Sequence, residues 1–256
     1  MGAWSSYQAR LSSRGDGLRD TRLRRADRFI SDKLLGSLSY HIAEVDGVER
    51  ELAIINSDNY DQKTICTLPG EDILGGELVF WEDNYWIVIR RDANNELYTK
   101  AVMQQCNYLL RWVADDGKII ERWSIIADGT KYLTGETISS YNDNGMSLGD
   151  TRISMVLSRD PYTSQLNRSN RFLIDDYDSG VVLAYRLTKP FKLGGVYNGH
   201  GAMAFVLTEV NTEDDDNFEL HIADYYSHFP RDTDDKGTAP VIGGERVDEN
   251  GRKVWF

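Results

Sequence analysis

The alternation of apolar and polar positions changes period once along the chain, near residue 36. Within DGLRDTRLRRADRFISDKLL (residues 16–35), Leu23, Ala26, Ile30 and Leu34 recur at three- and four-residue spacing and form one stripe of a helix. Asp16 or Asp20 is placed to cap its start, and Gly36 to end it. Beyond Gly36 the period becomes two. HIAEV and VERELAII flank Asp46-Gly47, a dipeptide that supplies the positive φ angles of a tight hairpin. ELVFW and YWIVIRR flank an acidic turn at Glu82-Asp83-Asn84, and LYTKAVMQQCNYLLRWVA and KIIERWSII flank Asp115-Asp116-Gly117. Short β-branched and aromatic runs with close turns predict a small barrel or sandwich over residues 37–127.

Residues 128–150 are rich in Gly, Ser, Thr and Asn and read as a linker or long loop. Strand patterns resume in TRISMVLS, NRFLIDD, VVLAYRLT, GAMAFVLTEV and FELHIADYY, a second β unit over residues 151–228. Residues 229–256 form an Asp-, Gly- and Pro-containing tail with a hairpin signal at Asn250-Gly251 and an apolar tip of Val254, Trp255 and Phe256. The expected fold is therefore mainly β: two small β-barrel or sandwich units preceded by an amphipathic N-terminal arm and helix over residues 1–36. Gly76–Val88 and Arg171–Leu187 share a strand, an acidic turn and an aromatic strand. That likeness fits a duplicated unit, although any two hairpins look alike at this level and chance likeness is the favoured reading.

Charge adds an asymmetry. Residues 1–33 hold eight Arg/Lys and four Asp, a balance of +4, which leaves −16 on the rest of a chain whose net charge is −12. An acidic body repels phosphates and is a poor wrapper of nucleic acid; the basic arm is the exception. The face bearing Arg19, Arg22, Arg25 and Arg28 is the candidate partner-binding surface, together with Val254, Trp255 and Phe256. The arginines fit a partner subunit's acidic surface, nucleic acid, or a solvated face paired with its own aspartates. No run reaches the roughly 18 apolar residues of a membrane span, and the first residues lack a secretory signal. Cys66 and Cys106 lie in strand-like runs and are expected as buried free thiols.

No catalytic, cofactor or metal site is expected. The chain has no G-x-S-x-G elbow, P-loop or dinucleotide fingerprint. Of the four histidines, His41 and His221 fall in strand-like runs, His200 in a turn, and His228 seven residues beyond His221. The acidic run 211–217 lacks the central Gly and distal Glu of an EF-hand and reads as a solvated turn.

An Arg-rich arm precedes AIINSDNYDQKTICTLPGEDILGGELVFWEDNYWIVIRRDANNELYTKAVMQQCNYLLRWVADDGKIIER, followed by NRFLIDDYDSGVVLAYRLTK and LHIADYY. In order and character, residues 5–228 resemble tailed-bacteriophage structural proteins of the virion neck, similar to head–tail connector or head-closure (stopper-like) proteins. The resemblance implies a homo-oligomeric ring beneath the portal that joins head to tail and helps retain the genome. It implies portal or adaptor and tail proteins as partners, with packaged DNA nearby and no membrane. It places the protein in the virion neck, and in the host cytoplasm during assembly. Another tail or minor virion role, or a carbohydrate- or host-binding β module motivated by the many Tyr and Trp, is the alternative.

Overall fold

The computed structural model describes residues 4–7, 17–92, 96–128, 152–175, 180–191 and 195–230, and the strand pair 246–247 and 253–254. Helix α1 spans Leu18–Leu35. Gly17, not an aspartate, stands at its N-cap; Asp20 falls inside the first turn, where its charge favours the helix dipole. Gly36 ends it, as expected, with its backbone N–H donating to the Leu34 carbonyl.

Six antiparallel strands follow: β1 (Tyr40–Val45), β2 (Val48–Asn56), β3 (Gln62–Thr67), β4 (Leu78–Trp81), β5 (Asn84–Arg91) and β6 (Lys100–Gln105). They close a barrel in the order β1-β2-β3-β6-β5-β4, with β4 returning to β1 through Val45↔Val79 and Glu44↔Phe80. The Asp46-Gly47 and Glu82-Asp83 turns adopt positive φ at both residues, which matches the twist of the strands they join. Alternate residues Val45, Leu52, Ile54, Ile65, Val79, Trp86 and Met103 fill the interior.

The remaining strands are β7 (Tyr108–Val113), β8 (Ile119–Asp128), β9 (Arg152–Ser158), β10 (Arg171–Asp175), β11 (Val182–Phe191), β12 (Val196–Tyr197) and β13 (His200–Val210). Their order is β7-β8-β9-β13-β11-β10, with β12 pairing only with β13. The expected boundary at 127 is thus displaced. LYTKAVMQQCNYLLRWVA is not one strand: it breaks at Cys106-Asn107, and β7 and β8 belong to the second sheet. Asn107 holds the break, its side chain donating to the Ile126 carbonyl at 2.7 Å and accepting from the Ile126 N–H at 2.8 Å. Gln104, Gln105 and Asn107 interrupt the apolar positions there, but the alternation on either side does not say which sheet each segment joins, because both obey the same period.

The two sheets follow one design. With β12 set aside as an inserted hairpin arm, both run first-second-third-sixth-fifth-fourth. Their registers coincide: Val79↔Trp86 corresponds to Phe172↔Tyr185, and Ile65↔Ala101 to Met155↔Phe205. Both fifth strands carry an irregularity at the same place, Val88/Arg90 and Leu187/Lys189. The hairpins paired from sequence, Gly76–Val88 and Arg171–Leu187, occupy equivalent positions. The second interior is bulkier, with Trp112, Phe172 and Phe205 where the first has Val45, Val79 and Ala101. Its β7–β10 seam is bridged by a side chain: the Tyr108 hydroxyl donates to Asp175 at 2.7 Å and accepts from the Asp175 N–H.

The segment FELHIADYY, expected as a strand, is a series of turns ending in a short helix, α2 (Tyr225–His228). His221 there has φ of 55° and lies in no strand. Residues 246–247 pair with 253–254 as β14 and β15, consistent with a terminal hairpin whose turn lies outside the described residues.

Candidate functional site

The two barrels meet through an apolar face. Ile87, Cys106, Ile125, Val156 and Ala202 are buried there, with Leu78, Tyr85, Ile89 and Trp123 around them. Tyr85 of the first barrel stacks on Trp123 of the second, ring centroids 4.7 Å apart. At one end of this face the backbones of Gly76 and Gly201 approach so closely that a Cβ on Gly76 would overlap the Gly201 carbonyl. The Ser158 hydroxyl donates to the Gly76 carbonyl at the same point.

The register relates this face to a second one. Ile125 and Val156 of the second barrel correspond to Ala53 and Cys66 of the first, which are register partners on the outside of β2 and β3. Both are nonetheless buried, at 3% and 9% exposure. Helix α1 is tied to the first barrel near both of its ends. Its C-terminal end runs through Ser39, whose carbonyl accepts from the Ile54 N–H, into β1. At its N-terminal end Arg19 grips Glu96, in the loop after β5, at 2.6 and 2.7 Å. The stripe Leu23, Ala26, Ile30 and Leu34 is half-buried while most of the helix is exposed.

The structure divides the candidate arginines. Arg19 is tied to Glu96. Arg22, Arg25 and Arg28 are exposed and form no ion pair among the described residues. Arg22, Arg25, Phe29 and Lys33 share one face at three- and four-residue spacing, and Phe29 is 62% exposed at its centre. Val254 lies in β15, where only its backbone is described, and Trp255 and Phe256 lie outside the described residues.

The acidic run 211–217 is not simply a solvated turn. Asp216 is buried and accepts two hydrogen bonds of 3.0 Å from Arg171, whose side chain is also buried. Arg171 further donates to Asp224 and to the Asn211 carbonyl, and Asp216 accepts from the backbone N–H groups of Glu213 and Asp224. Burial opposes the guanidinium charge, but the Asp216 and Asp224 hydrogen bonds outweigh it and raise the Arg171 pKa. Nothing local in NRFLIDD announces a buried arginine; its partners lie about 45 residues downstream.

Of the histidines, His41 packs edge-on to Trp81, His221 Nδ1 lies 3.7 Å from Asp175, and His200 lies near Asp46. Asp46 accepts from the Leu78 N–H at 2.8 Å and ties the first turn to β4. Burial raises the pKa of Asp46 and of Glu77 nearby, against the lowering effect of their backbone hydrogen bonds and Arg50. Cys66 and Cys106 are buried free thiols, and burial pushes both thiol pKa values up. Among the described residues no group of three or more His, Cys, Asp or Glu is placed to hold a metal. No helix among them is long and apolar enough to cross a membrane.

Residues 27–105 match the family model of the YomX N-terminal domain. YomX is a Bacillus prophage-region protein. The YomX-like segment begins inside α1 and ends on Gln105, the last residue of β6, so it takes in the first barrel and the later part of α1. The second barrel lies outside the match, although it repeats the same strand order and register. No curated protein and no solved structure matches the chain.

Proposed function

We propose that the chain is a structural component of a tailed-phage virion, one subunit of a ring beneath the portal that joins head to tail and helps retain the packaged genome. The observation that carries this reading is the match of the first barrel to a phage-associated family. The neck resemblance of residues 5–228 supplies the position. The architecture suits the role: two like barrels locked through an apolar face make a stiff subunit, and the basic face of α1 is left to meet a neighbour. The −16 balance beyond residue 33 would keep a passing DNA from adhering. Portal or adaptor and tail proteins are the neighbours this position implies.

Disruption of the gene in its phage tests the proposal. Expected are DNA-filled heads and separate tails that fail to join, together with antibody labelling of wild-type particles at the neck. Normal infectious particles from the disrupted phage, or labelling confined to the distal tail, would overturn it.

A carbohydrate- or host-binding module draws on the exposed rings of Tyr60 and Tyr197, at 90% and 78% exposure. Against it, Trp81, Trp86, Trp112 and Trp123 are engaged in packing within or between the barrels. Glycan-array binding that is lost with Tyr60→Ala or Tyr197→Ala would favour this second reading.

A further inference from the structure

The two barrels share a strand order but not a way of closing. In the first, main-chain pairing shuts the seam: Val45 lies opposite Val79 and Glu44 opposite Phe80, and the Asp46 N–H donates to the Leu78 carbonyl at 2.8 Å. The register puts β7 and β10 at the same place in the second barrel, with Trp112 for Val45 and Phe172 for Val79. Among the described residues no ladder joins these two strands. Two inward-facing rings, far bulkier than the valines, meet there edge-on with centroids 6.2 Å apart.

The segment after β13 spans this second seam. Ile222 is buried with Val113 and Ile119 on the β7 side, and its neighbour Ala223 with Leu173 and Ala184 on the β10 side. Two successive residues thus reach both strands. Arg111 of β7 donates to the Leu220 carbonyl, and Arg171 of β10 holds Asp216 and Asp224. Arg171 also holds the Asn211 carbonyl, so one side chain secures both the segment and its point of attachment.

The segment is also bonded to itself. Asn217 and Ile222 exchange main-chain hydrogen bonds of 2.9 and 3.0 Å, and the Asn217 side chain accepts from the N–H groups of Glu219 and Leu220. The Tyr226 N–H donates to the Asp215 carbonyl, and the Tyr225 ring packs on Tyr226 and Phe229. A piece bonded internally in this way moves as one body, and the exposed Asn211 and Thr212 join it to β13. We propose that residues 213–229 are a flap hinged at Asn211-Thr212, whose release lets the second barrel part along the β7–β10 seam while the first barrel stays shut. Parting bares two strand edges that the closed molecule covers. The ring reading above supplies the setting: this is the half of the subunit that can rearrange against a neighbour. The flap can nonetheless fail while the virion role stands.

Backbone amide exchange on the full chain, followed residue by residue, tests this without any substitution. The seam-facing amides of β7 and β10 and the amides of residues 213–229 are expected to exchange at matching rates. Those rates should be about tenfold or more above those of the β1 and β4 amides that close the first barrel. Two variants then act on the flap: Asp224→Asn removes a charged partner of Arg171, and Ile222→Ala trims the cover. Circular dichroism verifies that each is folded. Each is expected to quicken flap and seam together, about tenfold or more, with β1 and β4 unchanged. Wild-type seam amides as slow as those of β1 and β4 would overturn the proposal. So would a variant whose flap quickens while the seam does not, because the flap would then not hold the seam. Equal quickening throughout the chain would overturn it too, since the flap would then open only with global unfolding.

Discussion

Arg171 and Asp216 join the fourth strand of the second barrel to the loop beyond its last strand, through paired hydrogen bonds of 3.0 Å between buried side chains. Removing one partner of such a pair strands a charge where water cannot reach it. Arg171→Met should therefore cost about 3–5 kcal/mol in the unfolding free energy of the second barrel. Glu219→Gln, at an exposed position of the same loop, should stay within about 0.5 kcal/mol. Urea titration of both variants checks this, and equal stability for the two would refute a structural role for the buried pair.

A cover of the outside of β3 by α1 is open to a chemical test through Cys66, which lies there at 9% exposure. Ile30→Asp places a charge in the half-buried stripe and should loosen the helix. Cys66 should then react with a disulfide reagent under native conditions at least tenfold faster, while Cys106 stays protected between the barrels. A Cys66 thiol as slow as in the wild type would mean that something other than α1 covers it.

Gly76 has φ of 85°, and its missing Cβ leaves room for the Gly201 backbone. Gly76→Ala adds both backbone strain and an overlap that no rotamer can relieve. A loss of about 2–4 kcal/mol is expected, concentrated in the contact between barrels. Limited proteolysis should then cut near residues 106–107, where one barrel passes to the other. Wild-type resistance in this variant would show that the close approach is not needed for the junction.

Burial raises the pKa of Asp46 above its usual range, although the Leu78 N–H and Arg50 act the other way. The charged form is therefore less favourable in the folded chain than in the unfolded one. This cost is absent below the ordinary carboxylate range and is complete once pH rises past the folded pKa. Asp46→Asn keeps an oxygen to accept from Leu78 and removes the charge. It should melt above the wild type at pH 7, with the difference vanishing near about pH 3. Thermal melts across that range check the sign, and a variant less stable at pH 7 would contradict it.

The sequence alone determined the element types and most of the turns. Helix α1, its apolar stripe and its basic face follow from a 3.6-residue period, and the hairpins at Asp46-Gly47, Glu82-Asp83 and Asp115-Asp116-Gly117 follow from residues that tolerate the required backbone. These are local properties, written within a few neighbours. The same period of two, however, holds on both sides of Cys106-Asn107, so sheet membership was decided only when β7 paired with β8 and not with the first barrel. FELHIADYY alternates like a strand but became a cover for β7 and β8, because the Arg171–Asp216 pair and the apolar contacts of Ile222 and Tyr225 outweigh local preference. Pairing across a sheet is a long-range choice made by packing, and a local pattern carries no record of its partner.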